Sequence, residues 1–73
     1  MPRKTDLLLK FGERIHNLRK QINISQEDLA HKAGVHRTYI GMIERGEKNI
    51  TLENINKLAI ALEISIGDLL QSF

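Results

Sequence analysis

The stretch Ser25–Gly46, SQEDLAHKAGVHRTYIGMIERG, contains two helix starts and two helix stops. Ser25 with Asp28 three residues on has the spacing of a capping box, so a helix is expected over Gln26–Ala33. Gly34 suits the position just past that helix, where glycine takes the left-handed backbone without strain. A second helix begins at His36 or Arg37 and runs to Gly46, another glycine in the stop position. A helix of about eight residues, a glycine turn and a helix of about ten form a helix-turn-helix. Its packing follows from the apolar residues. Leu29, Ala30 and Val35 must meet Ile40 and Ile43, and the small Ala30 lets the two helices approach closely.

That packing leaves Arg37, Thr38, Gly41, Met42 and Arg45 on the opposite face of the second helix. Such a face suits a DNA major groove. Arginine can donate two parallel hydrogen bonds to guanine O6 and N7, while threonine offers a hydroxyl and a methyl. Gly41 costs roughly 1 kcal/mol of helix stability relative to alanine, so it needs a reason. Either it lets the helix lie close to base edges, or it relieves a packing clash inside the protein. Gln26 sits in the first turn of its helix, where amide N–H groups and the helix dipole favour a phosphate. Tyr39 can pack its ring inward and extend its hydroxyl to the DNA backbone. Lys48 and Asn49 follow the helix and can grip the backbone on its far side, although Lys48 alone also reads as a solvated loop charge.

Outward from this unit the pattern stays helical. Leu8, Phe11, Ile15, Leu18 and Ile22 form one apolar stripe on a first helix over about Asp6–Ile22, closed by Asn23. Thr51 caps a fourth helix whose stripe is Leu52, Ile55, Leu58, Ala59 and Leu62. Ser65 with Asp68 repeats the capping spacing and opens a short fifth helix. Five helices with short connections make an all-α fold, and 73 residues allow a single domain over residues 1–73.

The net charge of +2 is unevenly spread. Residues 1–23 carry +4, residues 24–48 balance, and residues 49–73 carry −2. A basic front and acidic back suit a protein that presents one end to a polyanion, and equally an ordinary solvated surface. The absence of cysteine excludes disulfides and thiolate metal sites. No apolar run approaches the roughly 20 residues that a transmembrane helix requires, and no signal-peptide core follows the basic start. A cytoplasmic protein without a membrane partner is expected.

The segment SQEDLAHKAGVHRTYIGMIERGEKNITLENINKLAIAL resembles the Xre/Cro–CI type of phage-repressor helix-turn-helix, and the likeness covers nearly the whole chain. Within it, HRTYIGMIERGEKNIT looks most like the controller proteins of restriction–modification systems. The resemblance implies a lambda-repressor-like DNA-binding domain of five helices, with the helix-turn-helix in helices 2 and 3. It further implies a homodimer that binds a near-palindromic double-stranded operator and regulates its own operon. Carried over by position, Arg37 and Thr38 contact bases, and Arg45 reaches base or backbone. Gln26, Tyr39, Lys48 and Asn49 hold phosphates. An internal ion pair between Arg19 and Glu44 orients the recognition helix. His36 departs from the family's usual serine, threonine or aspartate cap, so its imidazole is expected to cap poorly and touch phosphate instead. Phage repressors and toxin-binding antitoxins share these helices and remain the alternative.

Ile60 lies off the core stripe of the fourth helix, and Ile64, Ile66, Leu69, Leu70 and Phe73 crowd the last ten residues. Helix five can simply plug the core, or part of this apolar set forms a two-fold interface. The expectation is a mixture: Leu69 inward, Ile60, Ile64 and Ile66 outward, with Leu70 and Phe73 beside them in the interface. RNA polymerase is a further candidate partner. Catalysis finds no support. His16, His31 and His36 lack metal-motif spacing, Ser25 and Ser65 are engaged as caps, and the glycines form no phosphate-cradling loop. Neither an enzyme, a cofactor nor a small-molecule ligand is expected.

Overall fold

The computed structural model describes residues 4–71. Among them run α1 (Lys4–Gln21), α2 (Gln26–Ala33), α3 (Arg37–Glu44), α4 (Leu52–Ala61) and α5 (Ile66–Leu69), without a strand. Local hydrogen bonds set most of the boundaries. Ser25 Oγ accepts from Asp28 N while Asp28 Oδ2 accepts from Ser25 N, a complete capping box. Thr51 Oγ1 accepts from Asn54 N, and Ser65 Oγ from Asp68 N. Gly34 takes φ 71°, and the N–H of Val35 reaches back to Ala30 O at 3.0 Å, closing α2 as the sequence requires. Asn23 and Glu63 end α1 and α4 in the same left-handed conformation, at φ 59° and 60°. Asparagine tolerates this region; a glutamate there is under strain.

The core is one cluster in which Ile15, Leu29, Ile40, Ile43, Leu58 and Leu69 are fully enclosed. It forms where α3 packs on α1 and α2, α2 on α4, and α4 on α5. Two residues assigned to core stripes lie elsewhere. Ile22 falls just past the end of α1 and is exposed, and Leu52, the first residue of α4, is 69% exposed. Both sit at a helix end. Ile64, Ile66 and Leu70, expected to point outward or to lie at an interface, are half-buried and packed against the core. Leu69 is fully buried and Ile60 is 68% exposed. Phe73 lies outside the described residues. Among these residues no helix is long and apolar enough to cross a membrane.

Two contacts invisible in the sequence pattern complete the assembly. Arg14 on α1 donates from Nη2 to Asp68 O at 2.8 Å and from Nε to Leu69 O at 3.4 Å, capping the C-terminal carbonyls of the four-residue α5. Gly12, mid-way along α1, faces the last turn of α3. A Cβ there would overlap the carbonyl oxygens of Ile43 and Glu44, standing 2.7 Å from the latter. These obstacles are backbone atoms and cannot rotate away. Gly12→Ala is therefore expected to destabilise the fold by at least about 1–3 kcal/mol despite alanine's better helix propensity, read as a fall in the thermal midpoint. An unchanged or raised midpoint would show that α1 and α3 can separate freely.

Candidate nucleic-acid interface

The exposed side of α3 is built on a buried charge pair beneath it. Glu44 ends α3, and its side chain is only 5% exposed. Arg19, from the last turn of α1, donates Nε to Glu44 Oε2 at 2.7 Å and Nη2 to Oε1 at 3.0 Å. Its Nη1 donates to Ile24 O at 3.0 Å, in the α1–α2 connection. Gln26, the first residue of α2, adds an Nε2 bond to Glu44 Oε1 at 3.1 Å. His16 Nδ1 stands 3.0 Å from the same oxygen and 3.2 Å from Arg19 Nη2. One nitrogen serves only one of them: protonated, it donates to Glu44; unprotonated, it accepts from Arg19. A single carboxylate thus ties α1, α2 and α3 together.

Burial by itself pushes the Glu44 carboxyl up; the hydrogen bonds from Arg19, His16 and Gln26, with the Arg19 charge, outweigh burial and hold it below its ordinary range. A depressed folded-state value contributes stability above the unfolded value near about 4.3, and that stability is lost as pH falls through the folded value. Acid unfolding should accordingly sharpen below about pH 4. Glu44→Gln leaves the Arg19 charge buried without its counter-ion and should cost about 3 kcal/mol at neutral pH, while flattening the acid limb. Urea midpoints at pH 7 and pH 3 measure both effects. Equal losses at the two pH values would exclude Glu44 from the acid response.

Above this pair lies a depression of about 340 Å³ lined by Gln26, Arg37, Thr38, Gly41 and Arg45. Four of the five residues expected to face bases come together here. Met42 does not line it and is half-buried. Gln26, expected at phosphate, lines the same depression, and its orientation is chemically forced. An ionised carboxylate only accepts, so the amide nitrogen must face Glu44, leaving the second N–H and the oxygen for other partners. Gly41 forms the floor. A Cβ there would stand 3.1 Å from Arg45 Nη1, the movable tip of an exposed side chain, and 3.6 Å from Gln26 Oε1, an ordinary contact; neither is a core atom. Of the two readings of Gly41, the internal clash loses its basis.

Arg37 and Arg45 are exposed, and each has an acidic neighbour. Arg37 Nη1 donates to Glu27 Oε2 at 3.3 Å. Arg45 donates Nε and Nη2 to the two oxygens of Glu47, at 2.8 and 3.2 Å. That hydrogen-bonded pairing holds the Glu47 carboxyl below its ordinary range and raises the Arg45 guanidinium above its own.

Around this face sit the groups expected to grip the backbone. His36 corrects one expectation: its Nδ1 accepts from Thr38 N at 3.0 Å, so the imidazole does cap α3. Acceptance at Nδ1 places the proton of the neutral ring on Nε2, which leaves a donor for an anion. Tyr39 is half-buried against the core, and its hydroxyl accepts from Asn54 Nδ2 at 2.9 Å while keeping its own proton to donate. Lys48 and Asn49 are exposed in the loop before α4. Sequence reasoning missed Asn54 and also Lys20 and Asn23, which line a polar depression of about 480 Å³ beside the N-terminus of α2. The capping serine at Ser25 and the phosphate expectation for Gln26 were the signals that pointed to that corner.

The helix-turn-helix (HTH_3) family model matches residues 15–69. The chain belongs to that helix-turn-helix family. Within the family it is similar to control protein C.BamHI of Bacillus amyloliquefaciens, 44% identical over 66 residues, which spans 89% of this chain and 82% of that protein. Among solved structures it resembles the restriction–modification controller protein C.AhdI of Aeromonas hydrophila. That match has a TM-score of 0.83 and 48% identity, covering 85% of this chain and 94% of the other. The controller protein C.Esp1396I, solved as a tetramer on its natural 35 base-pair operator, matches with a TM-score of 0.82 and 36% identity. There the coverage is 86% of this chain and 83% of the other.

Gly41→Ala separates the fold from the exposed face. It should leave the thermal midpoint unchanged or raise it by up to about 1 kcal/mol of stability, while weakening binding of a preferred DNA site. Loss of stability together with full DNA affinity would return Gly41 to a packing role.

Proposed function

We propose that the chain is a sequence-specific DNA-binding transcriptional regulator of the controller type, acting as a homodimer on a near-palindromic operator and regulating its own restriction–modification operon. The observation that carries this is the depression on α3. It gathers two arginines, a threonine and an oriented glutamine over a glycine floor, on the face that a helix-turn-helix presents to a major groove. Arg37, Thr38 and Arg45 read base edges, with Gly41 permitting close approach and Met42 at the margin. Gln26, His36, Tyr39, Lys48 and Asn49 hold the phosphates on either side.

Each copy reads one half-site. Ile60, 68% exposed on α4, supplies the apolar centre of the two-fold contact, with the outer edges of Ile64, Ile66 and Leu70 around it. Two-fold symmetry sets the recognition helices about 34 Å apart, one turn of DNA. The tetrameric operator complex of C.Esp1396I supports a second dimer on an adjacent site, with dose and cooperativity as the controls. Such a regulator works in the cytoplasm without chemistry of its own, and RNA polymerase is the partner through which it would activate.

A gel shift on DNA upstream of the protein's own gene tests the assignment. Arg37→Ala should cost about 1–3 kcal/mol on the preferred site and relax specificity at one position. Lys48→Ala should weaken all sequences alike and reduce the salt slope by about one. Wild-type affinity in Arg37→Ala at moderate salt would refute the base-reading role. For the dimer, Ile60→Asp should sediment as a monomer and lose operator binding. A methyltransferase gene and an endonuclease gene alongside favour the controller role, whereas a toxin gene would make the chain an antitoxin.

A further inference from the structure

Each arginine on the exposed face of α3 is already paired before any DNA arrives. Arg37 is held at 3.3 Å by Glu27 from the first turn of α2, and Arg45 at 2.8 and 3.2 Å by Glu47 from the loop beyond α3. Both carboxylates are more than half exposed, at 72% and 52%, so the core does not require them. Resting on the DNA-reading function above, we propose that Glu27 and Glu47 are positioning residues that set DNA specificity, because they oppose arginine–phosphate contacts far more than arginine–base contacts.

The asymmetry follows from charge and donor count. A guanidinium carries five N–H donors. Paired through Nη1, Arg37 keeps Nε and Nη2 for a base edge. Paired through Nε and Nη2, Arg45 keeps Nη1, the atom that overlies Gly41. Guanine O6 and N7 are neutral acceptors, so an arginine can serve them with its carboxylate still attached. A phosphate oxygen within bonding reach of the same guanidinium comes within a few ångströms of the carboxylate, and two anions at that range repel. Binding to arbitrary DNA is almost wholly phosphate electrostatics. The two glutamates therefore subtract from it while holding the arginines in the orientation that a base edge rewards.

The test uses two duplexes of equal length: a site selected from random DNA by the wild-type protein, and a scrambled version of it. On the scrambled duplex, Glu27→Gln and Glu47→Gln should each tighten binding about 3–10-fold near 0.1 M salt. Each should also steepen the salt slope by about one, as the freed arginine takes up a phosphate. The selected site should change less, so the specificity ratio of the double variant falls about tenfold or more. Glu63→Gln, at the far end of α4 from the Lys48–Asn49 loop, controls for net charge and should leave the ratio unchanged. In an Arg37→Ala background, Glu27→Gln should no longer alter the ratio. Equal tightening on both duplexes, or none on the scrambled one, would overturn the proposal while leaving the DNA-binding function intact. A wild type that selects no site would remove that function first, and this proposal with it.

Discussion

The carboxylate of Glu44 is the constraint on which the rest depends. A charge with a side chain only 5% exposed is costly to bury, and an ion pair alone rarely compensates. Here Arg19 supplies two of its N–H donors to Glu44 and a third to a carbonyl of the α1–α2 connection, and Gln26 supplies another donor. No buried side-chain nitrogen or oxygen among the described residues lacks a hydrogen-bond partner. Because these donors come from α1 and α2 and the acceptor from α3, any rotation of the recognition helix would break several bonds together. Apolar packing of Ile40 and Ile43 holds α3 down; the charge network fixes which way it faces.

That network extends into the interface. Gln26 is at once a donor to Glu44 and a wall of the depression over Gly41, so the buried pair and the exposed face share a side chain. The exposed face is itself electrically moderated, with Glu27 and Glu47 set against Arg37 and Arg45. Phosphate contacts carry no sequence information, so selectivity on this face has to come from short-range geometry. The floor of the depression lacks a Cβ, and its walls are oriented by bonds to neighbours.

Helix boundaries were legible because they are local. Ser25, Thr51 and Ser65 each bond a backbone N–H three residues on, and Gly34 needs only its own backbone freedom. The stripe positions Phe11, Ile15, Leu18, Leu58, Ala59 and Leu62 were likewise legible from their period. Periodicity failed at the ends. Ile22 and Leu52 match the stripes in angle, yet at the helix ends they are 41% and 69% exposed. In the last ten residues periodicity is too short to sort the apolar side chains, and Ile64, Ile66 and Leu70 pack partly on the core while keeping an exposed edge.

The sequence by itself determined that five helices form, where they begin and end to within about two residues, and that one of them carries an arginine-rich face beside a glycine. Those properties depend on neighbours within about one helical turn. Only the tertiary structure decided how the pieces meet. It shows that Gly12 yields its Cβ to the α3 carbonyls, that Arg14 caps α5, that Asn54 holds the Tyr39 hydroxyl, and that Glu27 and Glu47 hold the two arginines. Except for Glu47, two residues from its arginine, these partners lie ten or more positions apart in the chain. No local pattern encodes such distances, because the contact exists only once the helices have packed.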